Sequence, residues 1–380
     1  MPLRLAILAV VIAACADSAP HPTGPAPRSP TPEARAFPGT VSVVADGLEH
    51  PWGLAFLPDG TMLVTERPGR LRRVAADGTL SAPLTGVPTV FDEGQGGLLD
   101  VAVSPTFADD RYVYLSFAEP RDGGAATAVA RGRLGAAGLD ETTVIWRQEP
   151  VVEGPNHFGS RLVFRPDGSL FVTVGERFDH RDQAQVMSST LGKVVRIGAD
   201  GVVPRDNPFA GKPPAAPAIW SSGHRNVQAA ALQPGTNRLW TVEHGPEGGD
   251  ELNHPEAGRN YGWPVISYGV NYDGTRVSDA TEKPGMEQPV YYWDPVIAPS
   301  GATFYTGTAF PEWHGHLLVG SLTPGGLVRL VLENDRVALE ERYRDGELDT
   351  RIRDVVQGPD GHVYLLTDRR SGKILRLAAR

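Results

Sequence analysis

Six short segments with the same pattern recur along the chain and constrain its fold more than any other feature. Each is an apolar run, a turn that carries Pro, Asp or Gly, and a second apolar run, which is the pattern of a β-hairpin. The segments span residues 51–67, 96–118, 159–177, 226–245, 299–322 and 352–368. Their turn prolines are Pro58, Pro105, Pro166, Pro234, Pro311 and Pro359, separated by 47, 61, 68, 77 and 48 residues.

Hairpins that recur at this spacing are typical of a β-propeller, in which each blade is a small antiparallel sheet. We therefore predict an all-β protein, a six-bladed β-propeller with four-stranded blades. A large β-sandwich or a solenoid is the alternative, and the regular recurrence disfavours it. The longer spacings leave room for insertions on one face, where propellers carry their functional loops.

The composition limits the classes of partner. The formal net charge is −9, from 36 basic and 45 acidic residues, so a nucleic-acid partner is not expected. The sequence has no Walker loop, no dinucleotide fingerprint after a strand, no zinc-binding HExxH motif and no GxSxG nucleophile elbow. Nucleotide cofactors and serine hydrolysis are therefore disfavoured.

The N-terminus has the pattern of an export signal. A short basic start is followed by the apolar run 5–11 and by Ile12-Ala13-Ala14-Cys15, which looks like a bacterial lipobox. Cys15 is the only cysteine of the chain. We predict a signal peptide over residues 1–14 and lipidation of Cys15; an ordinary secretory signal with an incidental cysteine is the alternative. The expected product is an exported lipoprotein of the periplasm or cell surface, which meets a membrane only through its lipid anchor.

Residues 15–38 are rich in Pro, Ala and Ser, a composition that predicts a semi-rigid spacer rather than a packed element. The propeller is accordingly expected over residues 39–380, with the folded part beginning near Gly39.

One loop stands out from the repeated pattern. The segment Glu243–Pro264, here called the acidic loop, follows an apolar strand and is rich in carboxylates, glycine and proline. No regular element is expected in it. Carboxylate and carbonyl oxygens in a flexible loop can bind Ca²⁺, although a solvated acidic loop has the same composition and no EF-hand spacing is present.

Several polar residues just before predicted strands are candidates for function. Gln95 lies in a glycine-rich turn, and His157 precedes the third hairpin, where a general base could act near neutral pH. Arg225 opens the fourth hairpin, and Arg351 and Arg353 open the sixth, where strand alternation places both on one face. Taken singly, a tight turn, a hydrogen-bonded histidine and a solvated edge explain these residues equally well.

Seven motifs in fixed order resemble a known family, the soluble pyrroloquinoline quinone (PQQ) dependent glucose and aldose sugar dehydrogenases. The resemblance runs from about Val41 to the C-terminus and is closer to the aldose branch. The motifs are HPWGLAFLPDG, GQGGLLDVAVSP, NHFGSRLVFRPDG, SGHRNVQ, EHGPEGGDELN, NYGWP and RIRDVVQGPDG. The family fold is a six-bladed propeller, in agreement with the six hairpins.

The resemblance implies the roles of individual residues. His157 matches the family's general base, which takes the proton of the anomeric hydroxyl while hydride passes to PQQ. Arg225 and Asn226 match the pair at the quinone oxygens, which also makes Arg225 a catalytic candidate. The remaining cofactor positions implied by the resemblance are Gln95, Tyr272, Ser321, Thr323, Arg351 and Arg353.

The resemblance also implies two Ca²⁺ sites in the acidic loop. Gly245 and Pro246 match the residues whose carbonyls hold the catalytic Ca²⁺ beside PQQ, and Glu251 and Tyr261 match ligands of a structural Ca²⁺. An aldose is the implied substrate, oxidised to its lactone, and a separate electron acceptor is required.

The chain departs from the family pattern at two places. Asn156 stands before the histidine, where the glucose dehydrogenases have an aspartate, and Thr323 stands where the family often has a lysine near the cofactor. The insertions that shape the glucose dehydrogenase cleft are not recognisable, which predicts an open site and a broad range of aldoses. Two other functions are possible for a propeller of this kind: a Ca²⁺-dependent lactonase, and a non-catalytic propeller that binds a surface partner.

Overall fold

The computed structural model describes residues 24–379, and they form a six-bladed β-propeller, as predicted. Each innermost strand contacts the innermost strand of the next blade, and that of blade 6 contacts that of blade 1, which closes the ring. Blade 1 consists of β3 (Pro51–Phe56), β4 (Met62–Glu66) and β5 (Arg70–Val74). Blade 2 consists of β6 (Leu98–Val103), β7 (Tyr112–Arg121), β8 (Gly124–Leu134) and β9 (Leu139–Arg147).

The next two blades follow the same antiparallel order from the inside outward. Blade 3 consists of β10 (Leu162–Phe164), β11 (Ser169–Val174), β12 (Lys193–Gly198) and β13 (Ile219–Ser222). Blade 4 consists of β14 (Val227–Leu232), β15 (Leu239–Glu243), β16 (Asp250–Asn253) and β17 (Tyr291–Trp293). Strand β16 lies inside the acidic loop, so the prediction that this loop has no regular element is wrong for these four residues.

The last two blades incorporate the N-terminal strands. Blade 5 consists of β18 (Pro299–Phe304), β19 (Leu317–Ser321), β20 (Leu327–Glu333) and β21 (Arg336–Tyr343), with β1 (Ala34–Arg35) parallel to β21. Blade 6 consists of β22 (Ile352–Gln357), β23 (Val363–Thr367) and β24 (Gly372–Ala378), with β2 (Thr40–Leu48) antiparallel to β24. Strand β2, near the N-terminal end, and strand β24, at the C-terminal end, therefore share one blade, which closes the ring.

The first two strands of every blade are the hairpins that the sequence predicted. They are buried on both faces, which explains why they read as apolar runs rather than as alternating strands. In blade 1 the fourth strand is reduced to two isolated bridges, Leu71 with Leu84 and Val74 with Leu80. Helical segments are short: an α-helix at Phe107–Asp110 and 3-10 turns at Arg181–Gln185, Pro311–Trp313 and Gly346–Leu348.

The segment 24–37, here called the N-terminal strap, is packed against the propeller. Arg28 pairs with Tyr292 at the outer edge of blade 4, β1 pairs with blade 5, and Phe37 is buried in the core between blades 5 and 6. The prediction of a free spacer up to residue 38 is therefore corrected for this part. Exposed outer strands need hydrogen-bond partners, and a short extended segment supplies them without an apolar run of its own.

The predicted signal peptide 1–14 and the lipidated Cys15 lie outside the described residues. Within residues 24–379, none of the helices has the length and apolar character needed to cross a membrane.

Replacing Phe37 with Ala should lower the free energy of unfolding by about 3–5 kcal/mol, the usual cost of truncating a buried Phe. The ring is 4% exposed and makes edge contacts at 5.8 Å with Phe310, Trp313 and Tyr343. Denaturant unfolding of the chain 24–380 measures the effect. Val43→Ala, at a 42% exposed position, is the control and should change stability by less than about 0.5 kcal/mol. Equal losses for the two variants would show that the strap is not part of the core.

Candidate active site

Arg161 occupies the centre of the ring and connects several blades. Its guanidinium lies 3.0 Å from Asp100 of blade 2 and 3.0 Å from Asp354 of blade 6. It donates to the carbonyl of Gln228 in blade 4 at 2.8 Å and stacks over Trp52 of blade 1 at 4.2 Å. All four partners come from other blades, so one buried cation holds the inner strands in register.

His157 and Glu176 form a buried dyad four residues upstream of Arg161. The His157 Nδ1 lies 2.7 Å from Glu176 Oε2, and the two side chains are 5% and 1% exposed. Phe178 covers the imidazole edge-on at 5.1 Å. Within the described part of the chain, no hydrogen bond engages Nε2, so this nitrogen is the one that could take a proton from a bound molecule.

The backbone around His157 is held in an unusual conformation. His157 has φ of 54°, in the left-handed region that non-glycine residues rarely adopt. Its N–H donates to Gln95 Oε1 at 3.0 Å, and its carbonyl approaches Gly175 so closely that a Cβ there would lie 2.1 Å from the oxygen. Gln95 and Gly175 thus fix the backbone of His157, and with it the position of the imidazole, next to the third hairpin.

Burial lowers the pKa of His157 below its ordinary value, although the adjacent Glu176 opposes this effect. Arg225 and Arg177 lower it further. The neutral imidazole is therefore the stable form at neutral pH, and Glu176 favours the tautomer with the proton on Nδ1. That is the protonation state of a general base whose Nε2 accepts.

Arg225 joins the dyad region to the acidic loop. Its guanidinium donates to the carbonyls of His244 at 3.1 Å and Gly245 at 2.6 Å, and its Nε is buried without a partner. Trp263 lies 5.3 Å from the same guanidinium. Asp250 fixes the start of the acidic loop, because its carboxylate accepts a hydrogen bond from the Gly245 N–H at 2.8 Å. Burial raises the pKa of Asp250 to about 7.

A cavity of about 370 Å³, here called the arginine cavity, opens beside Arg161. Arg351 and Arg353 both donate to Asp368 Oδ2, at 2.6 and 2.9 Å, and Arg67 is a further lining residue. The first two arginines thus share one carboxylate, and among residues 24–379 the buried Nε of Arg353 has no hydrogen-bond partner. The flat ring of Trp52 completes the wall.

The structure distributes the other predicted cofactor residues unevenly. Gln95 lines the arginine cavity, and Asn226 is buried with its Oδ1 accepting from Gly159 N–H at 3.1 Å. Ser321 is buried, and its hydroxyl donates to the carbonyl of Ile297 at 2.7 Å, whereas Thr323 is exposed. The residue between them, Leu322, is the one that lines the cavity.

A second cavity of about 250 Å³, here called the aromatic cavity, is lined in part by Arg225. Glu176, Phe178, Trp263 and Pro246 are among its lining residues. Tyr272, predicted on the cofactor side, stands at the mouth of this second cavity. It is 63% exposed, its hydroxyl lies 3.4 Å from Arg225, and its ring stacks on Phe178 at 6.3 Å.

The rear of the acidic loop presents oxygen atoms with few partners. Glu251 accepts a hydrogen bond from Asn253 at 3.2 Å, and Asn253 Oδ1 is buried without a partner. Burial and the neighbouring Glu243 raise the pKa of Glu251 well above its usual value. In residues 24–379 no group of three or more His, Cys, Asp or Glu side chains is arranged to hold a metal, so a cation here would need backbone carbonyls as ligands.

Several site residues were missed by sequence reasoning: Trp52, Arg161, Glu176, Phe178, His244 and Asp368. A signal for Glu176 was present. His224 and Glu243 form a second buried dyad at 2.9 Å, and both dyads have a spacing of 19 residues. The repeat of this spacing in neighbouring blades indicates a histidine before the first strand and a carboxylate at or just after the end of the second strand.

The buried His–Glu dyad contacts the lining of both cavities, because Glu176 lines the aromatic cavity and Gln95, which accepts from the His157 N–H, lines the arginine cavity. This arrangement is typical of a small-molecule enzyme site rather than of a polymer-binding surface. Comparisons with known proteins agree. Residues 48–376 match the family described as Glucose / Sorbosone dehydrogenase. The chain belongs to this family of sugar oxidoreductases, which confirms the resemblance read from the motifs.

Three relatives illustrate the similarity. The aldose sugar dehydrogenase YliI of Escherichia coli is 45% identical over 91% of this chain and 95% of its own length. The apo crystal structure of the soluble aldose sugar dehydrogenase from Escherichia coli superposes with a TM-score of 0.87 at 44% identity, over 90% of this chain and 99% of its own. The PQQ-bound aldose sugar dehydrogenase of Streptomyces coelicolor gives a TM-score of 0.72 at 29% identity, over 91% and 100%.

Replacing Arg161 with Met should lower the free energy of unfolding at pH 7 by about 3–5 kcal/mol, because Asp100 and Asp354 would stay buried without their cation. Burial already raises the pKa of Asp100 to about 6. Without Arg161 it rises further above its unfolded value, so the loss should be largest at high pH and should shrink as the pH falls. Denaturant unfolding of both proteins at pH 5 and pH 7.5 measures the difference.

Arg133→Met is the matched control, because the Arg133 and Glu141 side chains are 52% and 76% exposed. Its effect should stay within about 0.5 kcal/mol at both pH values. A loss for Arg161→Met that is equally small, or that does not depend on pH, would contradict the central role of this ion pair.

Proposed function

We propose that this chain is a PQQ- and Ca²⁺-dependent sugar dehydrogenase that oxidises aldoses at the anomeric carbon to lactones. The observation that carries the proposal is the His157–Glu176 dyad, in which Glu176 fixes Nδ1 while Nε2 of His157 has no hydrogen-bond partner among residues 24–379. The aromatic cavity beside it has the mixture of flat rings and polar groups that suits a sugar. The family and the PQQ-bound relative support the cofactor.

The arginine cavity fits a flat polyanion. Arg351 and Arg353 share the single carboxylate of Asp368, Arg67 adds a third guanidinium to the lining, and within the described residues the buried Nε of Arg353 has no acceptor. Carboxylates of PQQ would satisfy these groups, and Trp52 offers a flat wall. Although burial raises its pKa, Asp368 keeps a pKa below the usual range because Arg353 and Arg351 stabilise its charge, so it stays ionised and orients both arginines.

When bound, PQQ supplies a quinone that accepts the hydride of the anomeric carbon, and Ca²⁺ supplies a Lewis acid that polarises that quinone. The chain supplies the proton transfer. His157 Nε2 takes the proton of the anomeric hydroxyl, and Glu176 stabilises the imidazolium that results. Loss of that proton and of the hydride is a two-electron oxidation, so a separate acceptor must later remove the electrons.

Ca²⁺ would be held by the acidic loop. Gly245 and Pro246 would contribute carbonyls at the front, where Arg225 now donates to the Gly245 oxygen. Glu251 and Tyr261 would serve a second ion at the rear, where the unpartnered Asn253 Oδ1 offers a further ligand. The carboxylate of Glu251, whose pKa is raised, and the unpartnered amide oxygen of Asn253 are oxygen ligands that suit a hard cation.

Reconstitution tests the proposal. Apoprotein is mixed with Ca²⁺ and PQQ, and the reduction of a dye by glucose and other aldoses is followed. Activity that requires PQQ, Ca²⁺ and sugar together is the expected result. Absence of both turnover and any cofactor-dependent spectral change would contradict it. Ca²⁺-dependent lactone hydrolysis without PQQ would favour a lactonase, but Asp100 and Asp354 at the channel centre are already neutralised by Arg161.

Replacing His157 with Ala should lower kcat by about 10²–10⁴-fold, the contribution of a general base, without loss of PQQ binding. Turnover is measured by dye reduction, and cofactor binding by absorbance titration. His314→Ala, at an exposed histidine outside both cavities, should leave both unchanged. If the His157 variant turns over at the wild-type rate, another group is the base.

Replacing Glu176 with Gln should lower the plateau of kcat by roughly 10- to 100-fold, part of the general-base contribution. Glu176 raises the pKa of His157 against the effect of burial, so its loss lowers that pKa further. The acid limb of the kcat/KM profile should therefore move to lower pH. Glu141→Gln, at a 76% exposed side chain, should move neither. An acid limb that moves to higher pH would contradict the dyad.

A further inference from the structure

The N-terminal strap continues the sheet of blade 4 next to the acidic loop. The Ser29 N–H donates to the carbonyl of Tyr292 at 2.8 Å, and the Tyr292 N–H donates to the carbonyl of Pro27 at 3.1 Å. The Ala26 N–H donates to the hydroxyl of Tyr268 at 2.8 Å. Residues 26–29 of the strap therefore bond to two tyrosines that lie more than 200 residues further along the chain.

These two tyrosines form one unit behind the loop. The rings of Tyr268 and Tyr292 stack at 4.0 Å with planes 18° apart. Tyr268 also donates to Gln288 Oε1 at 2.7 Å. In the register of blade 4, Tyr292 stands opposite Glu251, which is a proposed ligand of the rear cation.

Residues 268–270 in turn pack against the turn 245–249 of the acidic loop. Glu247 and Val270 exchange both backbone hydrogen bonds at 2.9 Å. A Cβ on Gly269 would lie 2.3 Å from the Gly248 carbonyl oxygen, and a Cβ on Gly249 would lie 2.5 Å from the Gly269 nitrogen. Contacts this close leave the turn 245–249 no room to shift unless residues 268–270 shift with it.

Arg28 reaches the same turn by a second route. Its Nη2 lies 3.0 Å from Asp294 Oδ2, and its Nε donates to the Asp294 carbonyl at 2.9 Å. The Asp294 carboxylate lies beside Gly248, where a Cβ would meet its Oδ1 at 2.9 Å. Ala26 and Arg28 thus act on one turn through Tyr268 and Asp294.

We infer that the N-terminal strap is a clamp that positions the acidic loop for cation binding, with Tyr268 and Arg28 as its positioning residues. This inference rests on the proposed function in assigning a cation to the loop. The clamp restricts the turn 245–249 before any ion binds, so the carbonyls need not be ordered at the moment of binding. A chain that begins at Gly39 would lose β1 and the contacts of residues 26–29, and it would hold the acidic loop loosely.

The test compares variants of the chain 24–380 by amide hydrogen exchange and by calorimetric titration with Ca²⁺ alone. Arg28→Ala combined with Tyr268→Phe removes the contacts to Asp294 and the two hydrogen bonds of the Tyr268 hydroxyl. We expect exchange of the backbone amides of residues 247–250 to rise about tenfold and the Kd for Ca²⁺ to rise by about the same factor. Tyr268→Phe alone keeps the ring stack and should raise both about threefold.

Arg35→Ala is the matched control. Arg35 lies in the same strap and pairs with Glu341 of blade 5 at 2.8 Å, away from the acidic loop. In the Arg35→Ala variant, amide exchange in the acidic loop and the Kd for Ca²⁺ should stay within about twofold of wild type. If Tyr268→Phe and the double variant match Arg35→Ala in both measurements, the clamp is refuted. If wild type binds no Ca²⁺, the proposed cation site fails, and exchange of the backbone amides of residues 247–250 alone decides whether the clamp exists.

Discussion

The propeller depends on a single cation at its axis. Arg161 is hydrogen-bonded or ion-paired to blades 2, 4 and 6 and stacks on Trp52 of blade 1, so it ties together blades that are distant in sequence. Buried ion pairs stabilise little in net terms, but breaking one leaves uncompensated charge in the core. This penalty makes alternative registers of the inner strands unfavourable. His157 lies four residues before Arg161, and the fixed register therefore also fixes the candidate base.

The candidate active site uses a feature that the scaffold has twice. In blade 4, His224 bonds to Glu243 at 2.9 Å and to Ser221 at 2.8 Å, and Tyr261 stacks on its ring at 4.9 Å. Both ring nitrogens of His224 are therefore hydrogen-bonded, which makes this dyad a structural one. In blade 3 the corresponding histidine keeps Nε2 without a partner among the described residues. The difference between a supporting dyad and a reactive one is thus the availability of one nitrogen at a cavity wall.

Sequence reasoning predicted the elements that local chemistry determines. The hairpins follow from apolar runs and turn residues, and six of them predict six blades. It failed where partners are distant. The N-terminal strap has no apolar run, and its contacts with Tyr268 and Tyr292 exist only once the ring has closed. The ion pairs of Arg161 are likewise created by closure. The His157–Glu176 dyad could have been found from the repeated spacing of 19 residues, because it recurs as His224–Glu243.

We propose that the arginine cavity and the dyad form one site, with the cofactor in the arginine cavity and the sugar in the aromatic cavity. The most direct measurement is the half-reaction without any electron acceptor. Protein loaded with PQQ and Ca²⁺ is mixed anaerobically with glucose, and the cofactor absorbance is followed against glucose deuterated at C1. We expect reduction of the bound cofactor that is slower for the deuterated sugar and is slowed about 10²–10⁴-fold by His157→Ala. Cofactor that stays bound but oxidised in the wild-type protein would contradict it.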